Sequence, residues 1–543
     1  MKKNISGIII DVLNRRTFPG TLQFDNAVIS EIREDKSIVP DQYILPGLID
    51  AHVHIESSML TPGGFSKLAV KHGTVASVSD PHEIANVMGI EGIEYMLNDG
   101  EKVPFKFYFG APSCVPATTF ETSGATLGLK EVKDLIEKKE IRYLSEMMNF
   151  PGVISGDNEV ANKIRFAKKA KKPVDGHAPG LRGKALDKYI KAGISTDHEC
   201  YTLEEAKEKI EKGMIVQIRE GSAARNFNSL YSLIGKYPGK IMLCSDDLHP
   251  DDLLKGHINR LIVKGLNKGL DLFDMLTAAT VTPKLHYKLD VGLLKEGDPA
   301  DFIIIDKPES FRVKQAFING EKVYDKGKVL YGYENIKSIN KFFAQPVEEN
   351  DIRVVAEKEK IRLIKAFDGE LITEEKIVKA RIVDKEVVTD PEKDILKIVV
   401  VNRYKKVKPA VGFITGFGLK TGALVSSIAH DSHNVIAIGV SDSDIVKVLN
   451  NVIESKGGIA VYDGQSLDSI QLKIAGLMSD ESPEMVARTY ERINEKAAGL
   501  CTKIKSPFMT LSFMALLVIP HLKISDKGLF NVSRFENASL FVD

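Results

Sequence analysis

Six residues of the types that bind metal ions recur along the first half of the chain, each at or near the end of a short apolar run. They are the His-x-His pair His52 and His54, followed by Glu146, His177, His198 and Asp246. A lone histidine in an apolar context is usually a hydrogen-bonded core residue. Six such residues in this order are hard to obtain from packing alone, so the pattern predicts a metal-dependent hydrolytic site.

Imidazole and carboxylate side chains together suit Zn2+, Mn2+, Fe2+ or Co2+, and the set alone does not choose among them. Six candidate ligands are too many for one four-coordinate ion that must keep an open position. We therefore expect two ions that share a carboxylate and a water, whose pKa falls towards neutrality between them. Glu146 is the expected bridge, because it lies between the His-x-His pair and the two later histidines.

Asp246 has two interpretations. As a carboxylate beside dications it would keep a low pKa, ligate a metal and accept a proton, which it could later return to a leaving group. As part of Ser-Asp-Asp at 245–247 it could equally be a turn or N-cap residue.

The cluster Ser-Asp-Pro-His-Glu at 79–83 is also ambiguous. It could start a helix, with Asp80 as the cap and Pro81 in the first turn. It could also direct His82 or Glu83 towards a substrate. Capping does not prevent the following residues from facing inward, so both interpretations stay open.

The elements that must position these residues can be counted. Eight short apolar strands alternate with helical stretches, which is the pattern of an α/β protein with a (β/α)8 TIM-like barrel. Residues at the C-terminal ends of such strands share one face of the barrel, where active sites are built. The expected strands are 43–54, 75–81, 106–115, 143–149, 173–177, 194–199, 214–219 and 240–246.

The barrel is expected to span residues 43–287. Alternating strands and turns before and after it predict a small flanking β domain, formed from 1–42 plus 288–340. Residues 341–350 have the composition of a linker, and 351–543 are expected to form a mixed α/β domain. Within it, the polar cluster at 430–433 is interpreted as a surface loop, with a lid over the barrel site as the alternative.

Composition excludes several classes of partner. Lys plus Arg equals Asp plus Glu, 74 each, so no net field attracts nucleic acid or an acidic membrane. The four cysteines are scattered without a Cys-x-x-Cys pair, and the longest apolar run, 508–519, is too short for a bilayer span. We expect a cytoplasmic protein that binds neither nucleic acid nor membrane, and a homodimer because soluble enzymes often form one.

Several motifs resemble a known family. Ile-Leu-Pro-Gly-Leu-Ile-Asp-Ala-His-Val-His at 44–54 resembles the opening barrel strand of the amidohydrolase superfamily, and Gly-Asp-Pro-Ala-Asp at 297–301 resembles the segment after its barrel. Within that superfamily the chain most resembles the bacterial and archaeal adenine deaminases, including their additional C-terminal domain. The narrower resemblance rests on the motifs at 54–59, 79–83, 146–149, 175–180, 196–199 and 245–247.

This resemblance implies a hydrolase that deaminates adenine to hypoxanthine and ammonia in purine salvage. It implies two divalent transition-metal ions, Mn2+ or Fe2+ before Zn2+, bridged by Glu146 where many relatives carry a carboxylated lysine. Asp246 would shuttle a proton to the leaving amine. Glu83 is our first choice for the group that serves ring N1, with Glu199 and Asp247 as alternatives, and His82, Glu199 and Asp247 are expected to bind substrate.

Two rival functions remain. The first is another amidohydrolase that acts on a cyclic amide or an N-acyl sugar with the same metals. The second is a scaffold that has kept the barrel and lost catalysis. Such scaffolds usually lose several ligands, whereas all six positions are filled here.

Overall fold

A computed structural model describes residues 2–39 and 41–543 of the chain, which divides into two compact units. The first unit consists of Met1–Pro81, Tyr95–Ser113 and Gly128–Ile336. The second consists of His82–Glu94, Cys114–Leu127 and Lys337–Asp543. Two short segments from within the expected barrel range 43–287 therefore belong to the second unit.

The first unit contains eight parallel barrel strands. Five form one sheet and three form another. Two backbone hydrogen bonds join the sheets into a ring, from Ser195 N to Val174 O (3.0 Å) at one seam and from Asp246 N to His52 O (2.9 Å) at the other. The predicted barrel is confirmed. Its strands are Leu48–Val53, Thr74–Ser79, Lys106–Ala111, Ile141–Met147, Val174–Gly176, Thr196–Asp197, Ile215–Arg219 and Ile241–Cys244.

The expected first strand, 43–54, is two strands of different sheets. Tyr43–Pro46 pairs with strands outside the barrel, and Leu48–Val53 is the first barrel strand. The break falls at Gly47, where a Cβ atom would lie 2.4 Å from a methyl carbon of Val75. Only glycine allows this approach, and the continuous apolar sequence on either side conceals the change of sheet.

The flanking β domain is an eight-stranded sheet that combines segments from before and after the barrel, as predicted. Its core includes Phe24, Phe302 and Phe317, and the last two rings stack with centroids 4.4 Å apart. In order across the sheet, the strands are Lys328–Val329, Glu321–Asp325, Val313–Ile318, Phe302–Ile305, Tyr43–Pro46, Lys3–Asp11, Arg16–Asp25 and Val28–Glu34.

Two helices that follow barrel strands show how local sequence forms them, one by its amphipathic pattern and one by its cap. Leu129–Glu137 buries Val132, Leu135 and Ile136, which share one face at helical spacing. Asp157 caps its helix by accepting a hydrogen bond from Val160 N at 2.9 Å. The α-helices between Pro62 and Tyr287 are Pro62–Ala69, His82–Met88, Ile90–Gly100, Leu129–Glu137, Phe150–Ser155, Asn158–Lys169, Gly183–Ala192, Leu203–Glu211, Phe227–Leu230, Pro250–Lys255, Ile258–Asn267, Leu272–Leu276 and Thr282–Tyr287.

The second unit is built on a nine-stranded sheet. The helix Asp442–Glu454 packs Ile445, Val448 and Leu449 into the sheet's core. The other α-helices after residue 337 are Pro483–Leu500 and Pro507–Ser512. The sheet strands are Glu374–Lys379, Lys360–Lys365, Ala410–Thr415, Leu396–Val401, Val435–Gly439, Ala423–Ser426, Gly458–Tyr462 and Leu467–Gln471, with Phe541–Val542 paired to Lys360–Lys365.

Two smaller sheets complete the second unit, and the expected linker packs against it. Val347 in that segment is buried in the core, and its N–H donates to Asn450 Oδ1 at 2.8 Å. Among the described residues, no helix is long and apolar enough to cross a membrane. The smaller sheets are the hairpin Arg381–Val383 with Glu386–Val388, and Leu522–Ser525, Gly528–Asn531 and Glu536–Asn537.

Candidate metal centre

The six predicted ligands lie at the C-terminal ends of five barrel strands and are all buried. Parallel strands bring these ends to one face of the barrel, and residues two apart on a strand point to the same side. The rings of His52 and His54 accordingly lie 4.8 Å apart, centroid to centroid. Glu146 ends the fourth strand, and His177, His198 and Asp246 follow the fifth, sixth and eighth strands.

Glu146 is the centre of the cluster. Its Oε2 atom lies 3.0 Å from His177 Nδ1 and 3.0 Å from His198 Nε2. Its Oε1 atom lies 3.7 Å from His54 Nε2, and Oε2 lies 3.9 Å from His52 Nε2. One carboxylate therefore faces an early histidine pair and a late one, as a residue shared between two ion sites must.

Asp246 joins the early pair. Its Oδ1 atom lies 3.3 Å from His54 Nε2 and 3.7 Å from His52 Nε2. Its backbone is left-handed, with φ of 58°, a conformation that is uncommon for residues other than glycine. The next helix begins at Pro250 with His249 as its N-cap, so the N-cap interpretation of Asp246 is wrong. The residue forms a parallel β-bridge with Val53, and its backbone hydrogen bonds to His52 and His54 hold it beside the cluster.

The histidines have buried nitrogens that no described protein group satisfies. Both ring nitrogens of His52, Nε2 of His177 and Nδ1 of His198 have no hydrogen-bond partner within residues 2–39 and 41–543. Leaving buried polar atoms unpaired costs free energy, so such atoms usually have a function or a ligand. Imidazole nitrogens beside carboxylates are a donor set that fits a divalent transition metal.

Metal binding requires the ligands to lose their protons. Burial acts to lower the pKa of His177 and of His198, but Glu199 and Glu146 raise the pKa of His177 to about 9, and Glu146 raises that of His198. These two rings must therefore give up a proton when an ion binds.

Burial lowers the pKa of His52 well below its ordinary value, which keeps the ring neutral. Burial alone would raise the pKa of the Glu146 carboxyl, but His177 and His198 outweigh it and hold the pKa well below the ordinary value. Burial likewise acts to raise the pKa of Asp246, and the Arg219 guanidinium holds it low.

Arg219 is a site residue that the sequence analysis missed. Its guanidinium donates from Nη1 to Glu199 Oε1 (2.6 Å), from Nη2 to Glu199 Oε2 (3.0 Å) and from Nη1 to Asp246 Oδ2. Glu199 Oε1 also lies 3.5 Å from His198 Nε2. Both oxygens of this expected substrate-binding residue are thus engaged by arginine. The available signal was an arginine at the end of an apolar barrel strand, Ile215–Arg219.

The sequence analysis also missed Asp50 and His257, a pair that supports the segment carrying Asp246. Asp50 Oδ1 accepts a hydrogen bond from Ser245 N at 3.0 Å, and Asp50 Oδ2 lies 2.8 Å from His257 Nε2. The His257 ring also contacts Thr74 Oγ1 through Nδ1 at 2.7 Å. Asp50 precedes His52 by two residues and so faces the same side of its strand. It joins the first strand to the eighth beside the candidate metal ligands.

Asp247, another expected substrate-binding residue, accepts a hydrogen bond from Ser57 Oγ at 2.5 Å. Its carbonyl also accepts one from Ser222 N at 2.8 Å. The carboxylate is therefore oriented by the segment that follows the His-x-His pair. Substrate binding by Asp247 stays a prediction.

His82 and Glu83 belong to the second unit, where they begin the helix His82–Met88. A helix therefore does begin in this cluster, but at His82, so Pro81 lies before its first turn and capping by Asp80 stays a prediction. Glu83 Oε1 lies 2.6 Å from His430 Nδ1 and 3.4 Å from His82 Nε2, and Glu83 Oε2 contacts His433 Nε2. Participation of His82 and Glu83 in a reaction stays a prediction.

The surface-loop interpretation of 430–433 is wrong, because all four residues are buried. The loop's polarity suggested hydration, but its two histidine rings contact Glu83 inside the protein, which sequence composition does not reveal. Its alternative role as a lid stays a prediction.

Two family models match consecutive parts of the chain, and curated relatives match its full length. The amidohydrolase family model matches residues 43–323, and the adenine deaminase C-terminal domain model matches 370–536. An adenine deaminase of Methanosarcina mazei is 53% identical over 100% of both chains, and one of Salinibacter ruber is 50% identical over 99% of both. A β-aspartyl dipeptidase structure from Fervidobacterium islandicum AW-1 covers 61% of this chain and 99% of its own, with 18% identity and a TM-score of 0.48.

A (β/α)8 barrel whose strand ends gather histidines and carboxylates defines the class of metal-dependent hydrolases. The chain belongs to the amidohydrolase family and, within it, to the adenine deaminases, its relatives over their full length. Family membership implies a divalent metal cofactor, for which the buried cluster supplies candidate ligands. The family and fold expected from the sequence are confirmed.

Proposed function

We propose that this protein catalyses the hydrolysis of adenine to hypoxanthine and ammonia. One observation carries the proposal: in a chain that matches adenine deaminases over its full length, Glu146 faces all four predicted histidine ligands. A purine-salvage role, a cytoplasmic location and a homodimer complete the proposal as predictions from the sequence.

The cofactor we propose is a pair of divalent ions, Mn2+ or Fe2+ before Zn2+. His52, His54 and Asp246 would hold one ion, His177 and His198 the other, and Glu146 would serve both. When bound, such ions lower the pKa of water enough to supply hydroxide at neutral pH. The unpaired nitrogens of His52, His177 and His198 support this assignment.

Asp246 is the residue we propose for one proton transfer. The reaction adds the oxygen of water to C6 and expels the exocyclic amine, so one proton of the water must end on the leaving ammonia. A carboxylate that Arg219 keeps ionised can accept that proton and return it to the amine. The same contact fixes the direction in which the carboxylate points.

The second proton of the water must end on ring N1. Glu199 has both oxygens engaged by Arg219, a permanent cation that orients this carboxylate. We keep Glu83 as the proposed N1 residue, ahead of Glu199 and Asp247. His82, Glu199 and Asp247 remain the proposed contacts to the purine.

Adenine turnover by protein reconstituted with Mn2+ or Fe2+ tests the function. The ultraviolet change to hypoxanthine and ammonia release are followed, with chelator-treated protein as the control. Metal-dependent turnover is expected. Folded protein that holds two metals per chain but leaves adenine unchanged would contradict the proposal and favour a cyclic amide or N-acyl sugar. Absence of bound metal would favour the scaffold.

A further inference from the structure

The second unit contains a buried carboxylate held by two histidines of one loop. Glu83 Oε1 lies 2.6 Å from His430 Nδ1, and His433 Nε2 contacts Glu83 Oε2. Glu83, His430 and His433 are each at most 3% exposed. Both carboxylate oxygens are therefore engaged, each by a different imidazole.

The hydrogen bond at Nδ1 of His433 determines which ring nitrogen carries the proton. The backbone N–H of Ala429 donates to His433 Nδ1 at 3.3 Å, so that nitrogen carries no proton. Burial lowers the pKa of His433 to about 4, despite the attraction of Glu83, so the ring is neutral at neutral pH. A neutral ring without a proton on Nδ1 carries it on Nε2, which is the atom that donates to Glu83.

The same fact argues against a metal ion in this cluster. A metal ligated by Nε2 of a neutral His433 would leave the ring proton on Nδ1, facing the N–H of Ala429. That arrangement opposes two donors and loses a hydrogen bond. Both oxygens of Glu83 and both ring nitrogens of His433 already have hydrogen-bond partners within the protein.

The loop that carries the histidines is held by buried groups. Arg403 donates from Nη1 to His433 O at 3.3 Å, and Arg403 N donates to Asn434 Oδ1 at 3.1 Å. The His430 ring stacks on Phe513, with centroids 5.0 Å apart. Supporting contacts of this kind fix the directions of functional side chains before a ligand arrives.

We infer that His430 and His433 are positioning residues that hold Glu83 as an oriented, ionised carboxylate for its part in the reaction. The inference rests on the proposed function, in which Glu83 takes up a proton of the attacking water and delivers it to ring N1. It also gives the additional C-terminal domain a chemical task. The domain supplies both donors to Glu83.

The ionisation of Glu83 agrees with this geometry. Burial alone would raise the pKa of its carboxyl, but His430, His433 and His82 outweigh burial and hold the pKa well below its ordinary value. Among the described residues, these three histidines exert the largest charge effects on it. Removing a donor should therefore raise the pKa of Glu83, so that activity begins to fall at a higher pH on acidification.

Paired variants at position 433 test the inference. His433→Met keeps the volume and removes the donor, whereas His433→Gln keeps an N–H near the position of Nε2. We expect His433→Met to lower kcat by about 10²-fold, with KM and metal content unchanged and the acid limb of the pH profile moved upward. His433→Gln should retain activity within about tenfold. His521→Met changes an exposed histidine of the same unit and is the control.

The same change in a Glu83→Gln background shows whether His433 acts through Glu83. If it does, adding His433→Met should lower kcat little further, because coupled residues are not additive. Additive losses, or wild-type kcat in His433→Met, would overturn the inference. So would a third equivalent of metal that is present in the wild type and lost from His433→Met.

A spectroscopic readout separates this inference from the proposed function and does not depend on soluble His433→Met protein. In 15N-histidine-labelled wild type, His433 should show the tautomer with its proton on Nε2, and Glu83→Gln should shift its resonances and those of His430. A proton on Nδ1 would overturn the inference even if adenine is turned over. The expected tautomer together with no adenine turnover would instead overturn the proposed function.

Discussion

The barrel and the second unit each bury a cluster of histidines around one glutamate. The two clusters differ in whether the ring nitrogens that do not contact the glutamate have hydrogen-bond partners. In the barrel, ring nitrogens of His52, His177 and His198 have no hydrogen-bond partner among the described residues. In the second unit, His433 uses Nε2 towards Glu83 and Nδ1 towards Ala429. The same residue types therefore suit an ion in one place and an oriented carboxylate in the other.

The largest contrast is expected between two matched substitutions, Glu146→Gln and Glu83→Gln. Each removes one buried carboxylate charge. Glu146→Gln removes the group shared by both proposed ion sites, so bound metal should fall from about two equivalents to below one and turnover to background. Glu83→Gln should retain its metal and lose about 10²- to 10³-fold in kcat.

The test is to measure the bound metal and the rate of adenine turnover of both variants. Full metal content in Glu146→Gln would contradict the bridging role. Metal lost from Glu83→Gln would erase the distinction between the two clusters.

Asp246→Asn should separate metal binding from proton transfer within the barrel. The amide keeps the shape and a ligating oxygen but cannot accept a proton, so we expect kcat to fall by about 10³-fold while metal is retained. Metal content and kcat are measured on the same protein, which separates a loss of metal from a loss of proton transfer. Retained turnover with metal still bound would exclude the proton-shuttle role.

Arg219→Met tests the ion pair that orients the barrel carboxylates. Glu199 and Asp246 would lose their shared cation, and we expect turnover to fall by about 10- to 100-fold, as for other groups that orient metal ligands. Arg182→Met breaks an exposed pair with Glu208 and should leave turnover unchanged, since such pairs contribute little. Equal effects of the two variants would show that Arg219 has no special role.

The sequence was sufficient for features that depend on local pattern. Strand ends and residue types were enough to predict that the six candidate ligands lie together, because a strand's periodicity and the parallel barrel together determine which face a residue occupies. It was insufficient where partners are distant in the chain. Nothing near Glu83 indicates a loop 347 positions later, and nothing near Arg219 indicates Asp246. The change of sheet at Gly47 is concealed by apolar residues on both sides.

One buried cation in each region also differs in its partners, and a change of pH tests this difference with the smallest expected effect. Arg219 in the barrel pairs with carboxylates, whereas Lys523 in the second unit donates to the carbonyls of Leu371 (2.6 Å) and Phe513 (2.9 Å). Burial lowers the pKa of Lys523 to about 7. An amine with two N–H donors and two carbonyl partners needs no charge.

Stability should therefore rise with pH through Lys523. In the unfolded chain its pKa is near 10.4, so between about pH 7 and pH 10 the unfolded state binds the extra proton. The free energy of unfolding should then gain about 1.4 kcal/mol per pH unit from this group, and nothing further below pH 7. Thermal unfolding of the wild type and Lys523→Met from pH 6 to pH 10 makes the comparison, with Lys505→Met, an exposed lysine, as the control. The wild type should gain on Lys523→Met only above pH 7, whereas parallel profiles would mean that the buried amine is charged and that both regions hold buried cations as ions.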